Sequence, residues 1–302
     1  MKNLDIHGII PPVLTPMYED ESVNYEELRK EIDRLIEGGV HGIFCFGTNG
    51  EGYILSEDEK YEILRVAIDE VRGRVPVYAG TGCISTGDTI RVSRKAQEIG
   101  ADALSIITPG FAAASQKELY DHYAAVAGQV DIPIVLYNIP ARTGNRLLPE
   151  TVYRLARDMD VIMGVKDSSG DWDNLSAYLS LAGELDKDFR VLSGNDALIL
   201  KALQAGGSGG IAGCANVYPE TLSSIYDLFE AGDMDGAQKA QDSILSFRAV
   251  FRYGNPNTVV KKAVRMLGRN VGECRRPFNY LSEEGTEALR AVLDENRKNG
   301  MR

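Results

Sequence analysis

The sequence lacks the features expected of a protein that binds nucleic acid or membranes. Among its 302 residues, Lys and Arg total 33 against 44 Asp and Glu, which gives a net charge of −11. A nucleic acid or an anionic membrane surface needs a basic face, so neither is expected as a partner. No stretch approaches the roughly 20 apolar residues that a membrane helix needs. The start of the chain has no apolar signal core, which predicts a cytoplasmic protein.

Cysteine and histidine are also scarce. The four cysteines are far apart in the chain, and the three histidines are scattered. Short, regular spacing of such ligands is typical of zinc sites, so the sequence predicts no metal. Cys45 and Cys214 lie in apolar or Gly/Ala-rich segments and are expected to be reduced packing residues.

The chain does contain a regular alternation of short apolar runs and amphipathic helical patterns. Eight such β-α units without an antiparallel hairpin signal predict a (β/α)8 TIM barrel. From Asp233 onward the strands stop and three amphipathic helices follow. We therefore expect a barrel domain over residues 1–232 and a C-terminal helical domain over 233–302. The three helices are expected at about 235–252, 257–267 and 282–297.

One apolar run leads directly into a lysine. Val161–Val165 precedes Lys166, and the turn-forming residues Ser168–Gly170 follow it. A run this short and apolar is typical of a strand buried on both faces. Burial disfavours an ammonium ion, so an amine at the end of such a strand is able to act as a neutral nucleophile. The competing interpretation is a lysine that reaches from a strand end into solvent.

A barrel places its site at the carboxyl ends of its strands, and few polar residues are predicted there. They are Thr48 and Asn49 after the second strand, Tyr137 and Arg142 at the fifth, Lys166 at the sixth, and Asn195 and Asp196 after the seventh. These groups suit chemistry on a ketone, because a lysine forms an imine and a phenol shuttles protons. The Gly47–Gly52 loop offers backbone N–H groups and a hydroxyl to a carboxylate.

Each of these features also has a purely structural alternative. Tyr137 fits a strand tyrosine with a buried hydroxyl partner, and Gly47–Gly52 fits a tight turn. Arg142 fits a capping residue or an ion-pair partner of Asp167. The glycines at 206–210 fit a phosphate cradle, but no Lys or Arg supports an anion there. Close backbone approach to a small ligand is the favoured use of those glycines.

Four motifs together resemble the dihydrodipicolinate synthase / N-acetylneuraminate lyase family in order and spacing. The motifs are Gly47–Glu51, Tyr137–Pro140, Gly164–Asp167 and Gly206–Val217. The family consists of pyruvate-handling Schiff-base aldolases and lyases on (β/α)8 barrels with a C-terminal helical domain. The resemblance implies a homotetramer, a dimer of dimers, that acts on pyruvate and an aldehyde. It also implies that no cofactor is needed beyond the covalent imine with the lysine.

The resemblance assigns a role to individual residues. Lys166 matches the imine-forming lysine, Tyr137 the proton-shuttling phenol, and Thr48 the hydroxyl that relays to the phenol. The Thr48–Asn49 segment matches the place of the pyruvyl carboxylate. Arg142 matches the arginine that the synthases use near the second substrate's carboxylate. The backbones of two further residues match positions that line the pocket: Gly194 and Ile211.

The chain departs from the synthases at three positions. Asn49 replaces the second of two threonines. Phe111 occupies the position at which the synthases place a tyrosine of the partner subunit, and it has no hydroxyl for their relay of three hydroxyl groups. Ser168 replaces a common alanine and supplies the hydroxyl that hydroxy-acid aldolases and sialic acid lyases carry.

Sialic acid itself is not the expected substrate. Asp196 matches the sialic acid lyases, but Ala197 replaces their next carboxylate and Arg142 lies where they lack arginine. We therefore expect a lyase or aldolase that acts on a 2-keto-3-deoxy or 4-hydroxy-2-keto acid, cleaving or forming the bond between pyruvate and an aldehyde. One alternative, supported by Arg142, is 4-hydroxy-tetrahydrodipicolinate (dihydrodipicolinate) synthase activity, which condenses pyruvate with aspartate semialdehyde. The others are an imine-using dehydratase or deaminase, and a non-catalytic 2-keto-acid-binding protein.

Overall fold

The computed structural model describes residues 4–302, in which eight short strands alternate with helices. The strands are β1 Gly8–Ile9, β2 Ile43–Cys45, β3 Val77–Gly80, β4 Ala103–Ile107, β5 Ile134–Asn138, β6 Ile162–Asp167, β7 Arg190–Ser193 and β8 Gly209–Gly210. The α-helices are α1 Tyr25–Glu37, α2 Glu57–Val71, α3 Thr86–Ile99, α4 Gln116–Ala127, α5 Pro140–Thr143, α6 Pro149–Asp158, α7 Trp172–Ala182, α8 Ile199–Gln204, α9 Pro219–Glu230, α10 Met234–Ser243, α11 Leu245–Ala249, α12 Pro256–Met266 and α13 Glu283–Lys298. The order of strands and helices agrees with the alternation predicted from the sequence.

Local sequence signals account for several helix starts. A capping box of Ser56 and Glu59 begins α2, because Glu59 N donates to Ser56 Oγ (3.2 Å) and Ser56 N donates to Glu59 Oε2 (2.8 Å). Asp171 caps α7, and its carboxylate accepts a hydrogen bond from Asp173 N (3.0 Å). Such caps satisfy N–H groups that have no partner within the helix.

Three segments differ from the sequence-based expectation. The apolar run that opens the chain, Gly8–Thr15, forms a strand only at Gly8–Ile9, since Pro11 and Pro12 have no N–H to donate to a ladder. The helix expected over 235–252 is divided into α10, α11 and a 3-10 turn at Val250–Tyr253. The short helix α5 was not expected, and it begins on Pro140, whose fixed φ suits the first helical position.

The first of two compact units comprises the described residues up to His7 together with Pro76–Ile211. Its strands β3 to β8 follow one another in sequence order, and every neighbouring pair is parallel. Parallel strands covered by helices are buried on both faces, which explains their apolar composition. The core of this unit includes these buried side chains: Tyr78, Leu104, Ile134, Leu136, Ile162, Val165 and Leu192.

The second unit comprises Gly8–Val75 and Ala212–Arg302. In it, Pro12 and Phe44 form a parallel bridge, and His41 N donates to Ile9 O at 2.8 Å. The amphipathic helices α12 and α13 belong to this unit, and α12 buries one face almost completely. The division into residues 1–232 and 233–302 stays a prediction.

Cys45 and Cys214 are buried free thiols, in agreement with their expected role in packing. Burial raises the pKa of the Cys45 thiol to about 12. Within residues 4–302, every helix is too short or too polar to span a bilayer. The same residues contain no group of three or more His, Cys, Asp or Glu side chains arranged to hold a metal ion.

Candidate active site

Strand register brings the predicted lysine and phenol side by side. Tyr137 in β5 is the register partner of Lys166 in β6, so the two side chains project to the same face of the sheet. The Nζ atom of Lys166 lies 3.8 Å from the centroid of the Tyr137 ring. Lys166 is 3% exposed and Tyr137 is 4% exposed. The amine is therefore buried against an aromatic ring at the carboxyl end of a parallel strand, as the sequence predicts.

Glycine is required beside this lysine. Gly194 N donates to Asp167 O at 2.7 Å, which draws the chain after β7 close to the end of β6. A Cβ atom at Gly194 would lie 1.9 Å from Ser168 Oγ and 2.9 Å from Lys166 Cε. The backbone of Gly194 and the hydroxyl of Ser168 thus lie close to the lysine side chain.

The carboxylate that follows the lysine is buried within a ring of neutral donors. Asp167 is 2% exposed and accepts hydrogen bonds from Asn138 Nδ2 (2.7 Å) and Ser169 Oγ (2.7 Å). Asn174 Nδ2 donates to the same group at 3.2 Å, and Ser169 N at 3.3 Å. Burial raises the pKa of Asp167, and these hydrogen bonds oppose the rise. Amide and hydroxyl groups therefore hold Asp167, rather than the Arg142 guanidinium that the sequence offered as an alternative ion-pair partner.

The segments after β7 and β8 contribute the next two candidates. Asp196 is 4% exposed and begins a 3-10 turn at Asp196–Leu198. The turn is fixed by Asn195, whose Oδ1 accepts from Ala197 N at 3.1 Å. Ile211 is 1% exposed and its N–H donates to Ser193 O at 2.9 Å. Both candidates therefore follow strands of the sheet that carries Lys166.

Arg142 lies in the one-turn helix α5, directly after the strand of Tyr137, and its side chain is exposed. The turn is fixed because the hydroxyl of buried Thr143 lies 2.8 Å from Thr108 Oγ1. A guanidinium forms strong, directional hydrogen bonds with a carboxylate. Its place on a fixed turn after β5 suits recognition of a carboxylate.

Phe111 lies at the tip of the loop after β4. Its side chain is 100% exposed and its φ is +77°, in the left-handed region that aromatic residues seldom adopt. Asn145 holds the loop in place, because its Nδ2 donates to Pro109 O (2.8 Å) and Ala112 O (2.7 Å). A fully exposed apolar ring on a strained, tethered backbone is typical of a group that contacts another molecule.

Thr48 and Asn49 lie in the second unit, in the loop after β2. Thr48 O accepts hydrogen bonds from Asn257 Nδ2 (2.7 Å) and Glu51 N (3.2 Å). Asn49 lies against Gly213, where a Cβ atom would come within 3.2 Å of Asn49 Oδ1. Both predicted residues are half-buried, so a small molecule is able to reach them.

The sequence predicts candidate reactive groups, but it does not predict the buried asparagines that fix the neighbouring loops. Asn138 and Asn145 are both at least 96% buried and fix the loops that follow β4 and β5. Asn138 has one visible signal, an amide at the end of an apolar strand, whereas Asn145 follows the turn of α5 and has none. Asn257 carried no signal, because nothing local distinguishes it from other polar residues of an amphipathic helix.

Comparison with known proteins gives a consistent result. The model of the dihydrodipicolinate synthetase family matches residues 5–296. A 4-hydroxy-tetrahydrodipicolinate synthase of Methanopyrus kandleri is 39% identical over 290 residues, which cover 95% of each chain. These matches extend over nearly the whole sequence, including the C-terminal helices.

Two solved structures are similar over a comparable length. A crystal structure of a dihydrodipicolinate synthase is 34% identical with a TM-score of 0.90, and the match covers 96% of this chain and 99% of that one. A prophage protein of the dihydrodipicolinic acid synthase family from E. coli K12, in complex with pyruvate, is 32% identical with a TM-score of 0.93 over 96% and 98% of the two chains. The predicted fold class, a (β/α)8 barrel with C-terminal helices, is confirmed.

Proposed function

The chain belongs to the dihydrodipicolinate synthetase family and is a carbon–carbon lyase of that family, and on this premise we propose that Lys166 forms an imine with pyruvate. The observation that carries the proposal is the buried contact between Lys166 Nζ and the Tyr137 ring, at 3.8 Å from the ring centroid. A nucleophilic lysine in a mostly apolar pocket, beside a phenol, is what imine catalysis requires. The related structure in complex with pyruvate supports this keto acid as the first substrate.

The chemical steps follow from these two side chains. The amine nitrogen of Lys166 attacks the C2 ketone, and loss of one water molecule gives the imine. Removal of a proton from the methyl group next to the protonated imine gives an enamine, whose carbon forms a bond to the carbonyl carbon of an aldehyde while the aldehyde oxygen takes up a proton. Water then hydrolyses the imine and regenerates the lysine. The reverse sequence cleaves a 4-hydroxy-2-keto acid into pyruvate and an aldehyde.

Tyr137 is the proposed proton carrier in both directions, since carbinolamine formation and enamine formation each move a proton near the imine carbon. Thr48 is the proposed hydroxyl that acts with Tyr137, and Asn49 lies in the segment proposed to hold the pyruvyl carboxylate. Gly194 and Ile211 are proposed to line the pocket with their backbones. These assignments rest on the motif resemblance and, for Gly194, on its contact with Lys166 Cε.

Aspartate semialdehyde is the first candidate for the aldehyde. It is the acceptor implied by the relatives named 4-hydroxy-tetrahydrodipicolinate synthase, which are 37–40% identical to this chain. Arg142 supports this candidate, because an exposed guanidinium on a fixed turn suits the carboxylate of that aldehyde.

A hydroxylated aldehyde, released from a 2-keto-3-deoxy or 4-hydroxy-2-keto acid, is the second candidate. The observation that favours it is the Ser168 hydroxyl beside Gly194 and Lys166, together with the nearly buried carboxylate of Asp196. Both groups are able to accept hydrogen bonds from substrate hydroxyls. Phe111 supports the same candidate, because a phenyl ring cannot transfer the proton that a tyrosine would carry.

The imine is tested by trapping it. Incubation with pyruvate and borohydride, followed by peptide mass spectrometry, is expected to show a reduced adduct on Lys166. The matched control is Lys166→Arg, which keeps a long basic side chain but cannot form the imine. An adduct on another lysine, or no adduct on the wild type, would contradict the mechanism.

The aldehyde is tested by a direct comparison of kcat/KM. One assay measures condensation of pyruvate with aspartate semialdehyde, and the other measures pyruvate release from a panel of 2-keto-3-deoxy and 4-hydroxy-2-keto acids. Phe111→Tyr is measured in both assays. If the synthase relay is needed, Phe111→Tyr raises only the condensation rate. A fast wild-type condensation that Phe111→Tyr leaves unchanged would favour aspartate semialdehyde and dismiss the argument from Phe111.

We further propose a cytoplasmic homotetramer, a dimer of dimers, that requires no cofactor besides the covalent imine. The fully exposed ring of Phe111 supports assembly, since a second subunit would cover it. The imine itself supplies the electron sink for carbon–carbon bond chemistry. Sedimentation at several concentrations would test the assembly, and activity after exhaustive dialysis against a chelator would test the lack of a cofactor.

A further inference from the structure

One helix near the end of the chain holds the loop that carries Thr48 and Asn49. The loop of residues Gly47–Gly52, here called the 47–52 loop, follows β2 in the same compact unit as α12. Asn257 and Lys261 lie four residues apart in α12, on one face of the helix. Both are almost fully buried, and both bond to the loop. A polar pair on the buried face of an amphipathic helix requires an explanation.

Lys261 holds the end of the loop. Its side chain is 1% exposed, and its Nζ donates to Glu51 Oε1 at 2.6 Å and to Thr15 O at 2.8 Å. Glu51 is 0% exposed, and its second carboxylate oxygen accepts from Arg275 N at 2.8 Å. A buried ion pair of this kind contributes to specific geometry more dependably than to stability.

Asn257 holds the middle of the loop. It is 2% exposed, and its Nδ2 donates to Thr48 O at 2.7 Å. The Thr48 carbonyl and the Asn49 N–H belong to one planar trans peptide, so they point in opposite directions. Fixing the carbonyl therefore fixes the direction in which the Asn49 N–H points. That N–H is one of the backbone donors that the loop offers to a substrate carboxylate.

The loop needs such restraints, because its backbone is strained. Glu51 in the loop has a φ of +58°, and Phe46, directly before the loop, has a φ of +43°, although neither is glycine. Residues persist in the left-handed region only where the surrounding structure determines their conformation. Glu51 is one of the strained residues and is also the residue that Lys261 binds. The restraint therefore acts at the point of strain.

We propose that Asn257 and Lys261 are positioning residues, through which α12 sets the orientation of the Thr48–Asn49 peptide for binding of the keto-acid carboxylate. The proposal rests on the proposed role of the 47–52 loop in holding that carboxylate. Neither residue needs to touch the substrate. Loss of either restraint weakens pyruvate binding and leaves the imine chemistry of Lys166 largely intact.

The test measures the pyruvate concentration that gives half-maximal borohydride trapping on Lys166, together with kcat at saturating pyruvate. Asn257→Ala removes the donor, and we expect about a 10-fold increase in that concentration. Asn257→Asp keeps the size of the side chain but places a carboxylate against the Thr48 carbonyl, and we expect about a 100-fold increase. In both variants we expect kcat to stay within about 3-fold of the wild type. The matched pair Lys261→Met and Lys262→Met should show an increase for Lys261 alone.

The pyruvate concentration for half-maximal trapping should be highest in Asn257→Asp, lower in Asn257→Ala and lowest in the wild type. This order, with kcat nearly unchanged, indicates that Asn257 orients the loop. A purely structural role gives no reason for weaker pyruvate binding without a matching loss of kcat. Lys261→Met breaks a buried ion pair and lowers stability, so the Asn257 variants decide the proposal. Half-maximal trapping at the wild-type concentration in both Asn257 variants would overturn it, whatever their melting temperatures. A wild type that shows no trapping on Lys166 would instead overturn the proposed function itself.

Discussion

Two buried carboxylates support the candidate site in opposite ways. Asp167, beside Lys166, is 2% exposed and is held by neutral amide and hydroxyl donors. Glu51, in the 47–52 loop, is 0% exposed and is held by the buried ammonium of Lys261. The first arrangement leaves a negative charge without a cation, while the second pairs the charge completely.

The partners of the two carboxylates also lie at different distances along the chain. Asn174 and Ser169 are within seven residues of Asp167, and Asn138 is its register partner on the neighbouring strand. Glu51 is bound by Lys261, 210 residues away, and by the backbone of Arg275, 224 residues away. The end of β6 is thus supported by its own neighbourhood, whereas the 47–52 loop depends on the C-terminal helices. Four predictions test this contrast, from the largest effect to the smallest.

The largest effect is expected on turnover, at the residue that packs against Lys166. Tyr137→Phe removes the proposed proton carrier but keeps the ring against Lys166, so kcat should fall by about 10²–10⁴-fold while pyruvate still binds. The measurement is steady-state turnover together with borohydride trapping on Lys166. The control is Tyr120→Phe, at an exposed hydroxyl that donates to Asp158. Unchanged turnover in Tyr137→Phe would assign the proton transfer to another group.

The next effect is on stability. Glu51→Gln leaves the ammonium of Lys261 buried without its counter-charge, and loss of one partner of a buried ion pair costs about 3–5 kcal/mol. Urea unfolding followed by circular dichroism measures this cost. Glu62→Gln is the control, because Glu62 pairs with Arg65 where both side chains are about half exposed. That control should lose at most about 0.5 kcal/mol, and equal losses in the two variants would refute the contrast.

A smaller effect is expected at the other carboxylate. Asp167→Asn keeps an oxygen for the amide donors of Asn138 and Asn174, and the Ser169 hydroxyl is able to turn and accept from the new N–H group. The expected loss is about 1 kcal/mol, because the two amide donors keep an oxygen acceptor and only the half-buried Ser169 hydroxyl loses one. Asp167→Ala, which leaves those donors unpaired, should lose about 3 kcal/mol in the same assay. A loss in Asp167→Asn as large as that in Asp167→Ala would show that the charge itself is required.

The difference between nearby and distant partners also explains which features of the site could be predicted from the sequence. Lys166 and Tyr137 could be predicted together because each ends an apolar strand, and adjacent parallel strands bring such ends to one edge of the sheet. The hydrogen bonds by which Asn257 and Lys261 hold the 47–52 loop could not be predicted. Lys261 and Lys262 are adjacent and identical in type, and only the packing of α12 decides which of them is buried. Side-chain partners more than 200 residues apart leave no periodic pattern in a single sequence.

The short helix α5 and the exposed Phe111 mark the same limit. Their conformations depend on Asn145 and Thr143, whose hydrogen bonds join the loops after β4 and β5. Local propensity does not report such contacts between loops. The fold and the reactive groups therefore follow from strand patterns, while the restraints on the loops follow from tertiary packing alone.

The smallest predicted effect is a pH dependence of stability that arises from Asp167, which is buried without a cation. Burial raises the folded-state pKa of Asp167 above 3.8, the value of an ordinary aspartate, so the folded state holds the proton more tightly than the unfolded state. The resulting stabilisation is fully present below pH 3.8 and is lost as the pH rises through the folded pKa. The wild type should therefore gain stability relative to Asp167→Asn as the pH falls from about 7 to about 4. Urea unfolding of both proteins across this range measures the difference, in which the titration of groups common to the two proteins largely cancels. A difference that shrinks toward acid pH would mean that the four hydrogen bonds outweigh burial, and that Asp167 is held as firmly in its charged form as a paired carboxylate.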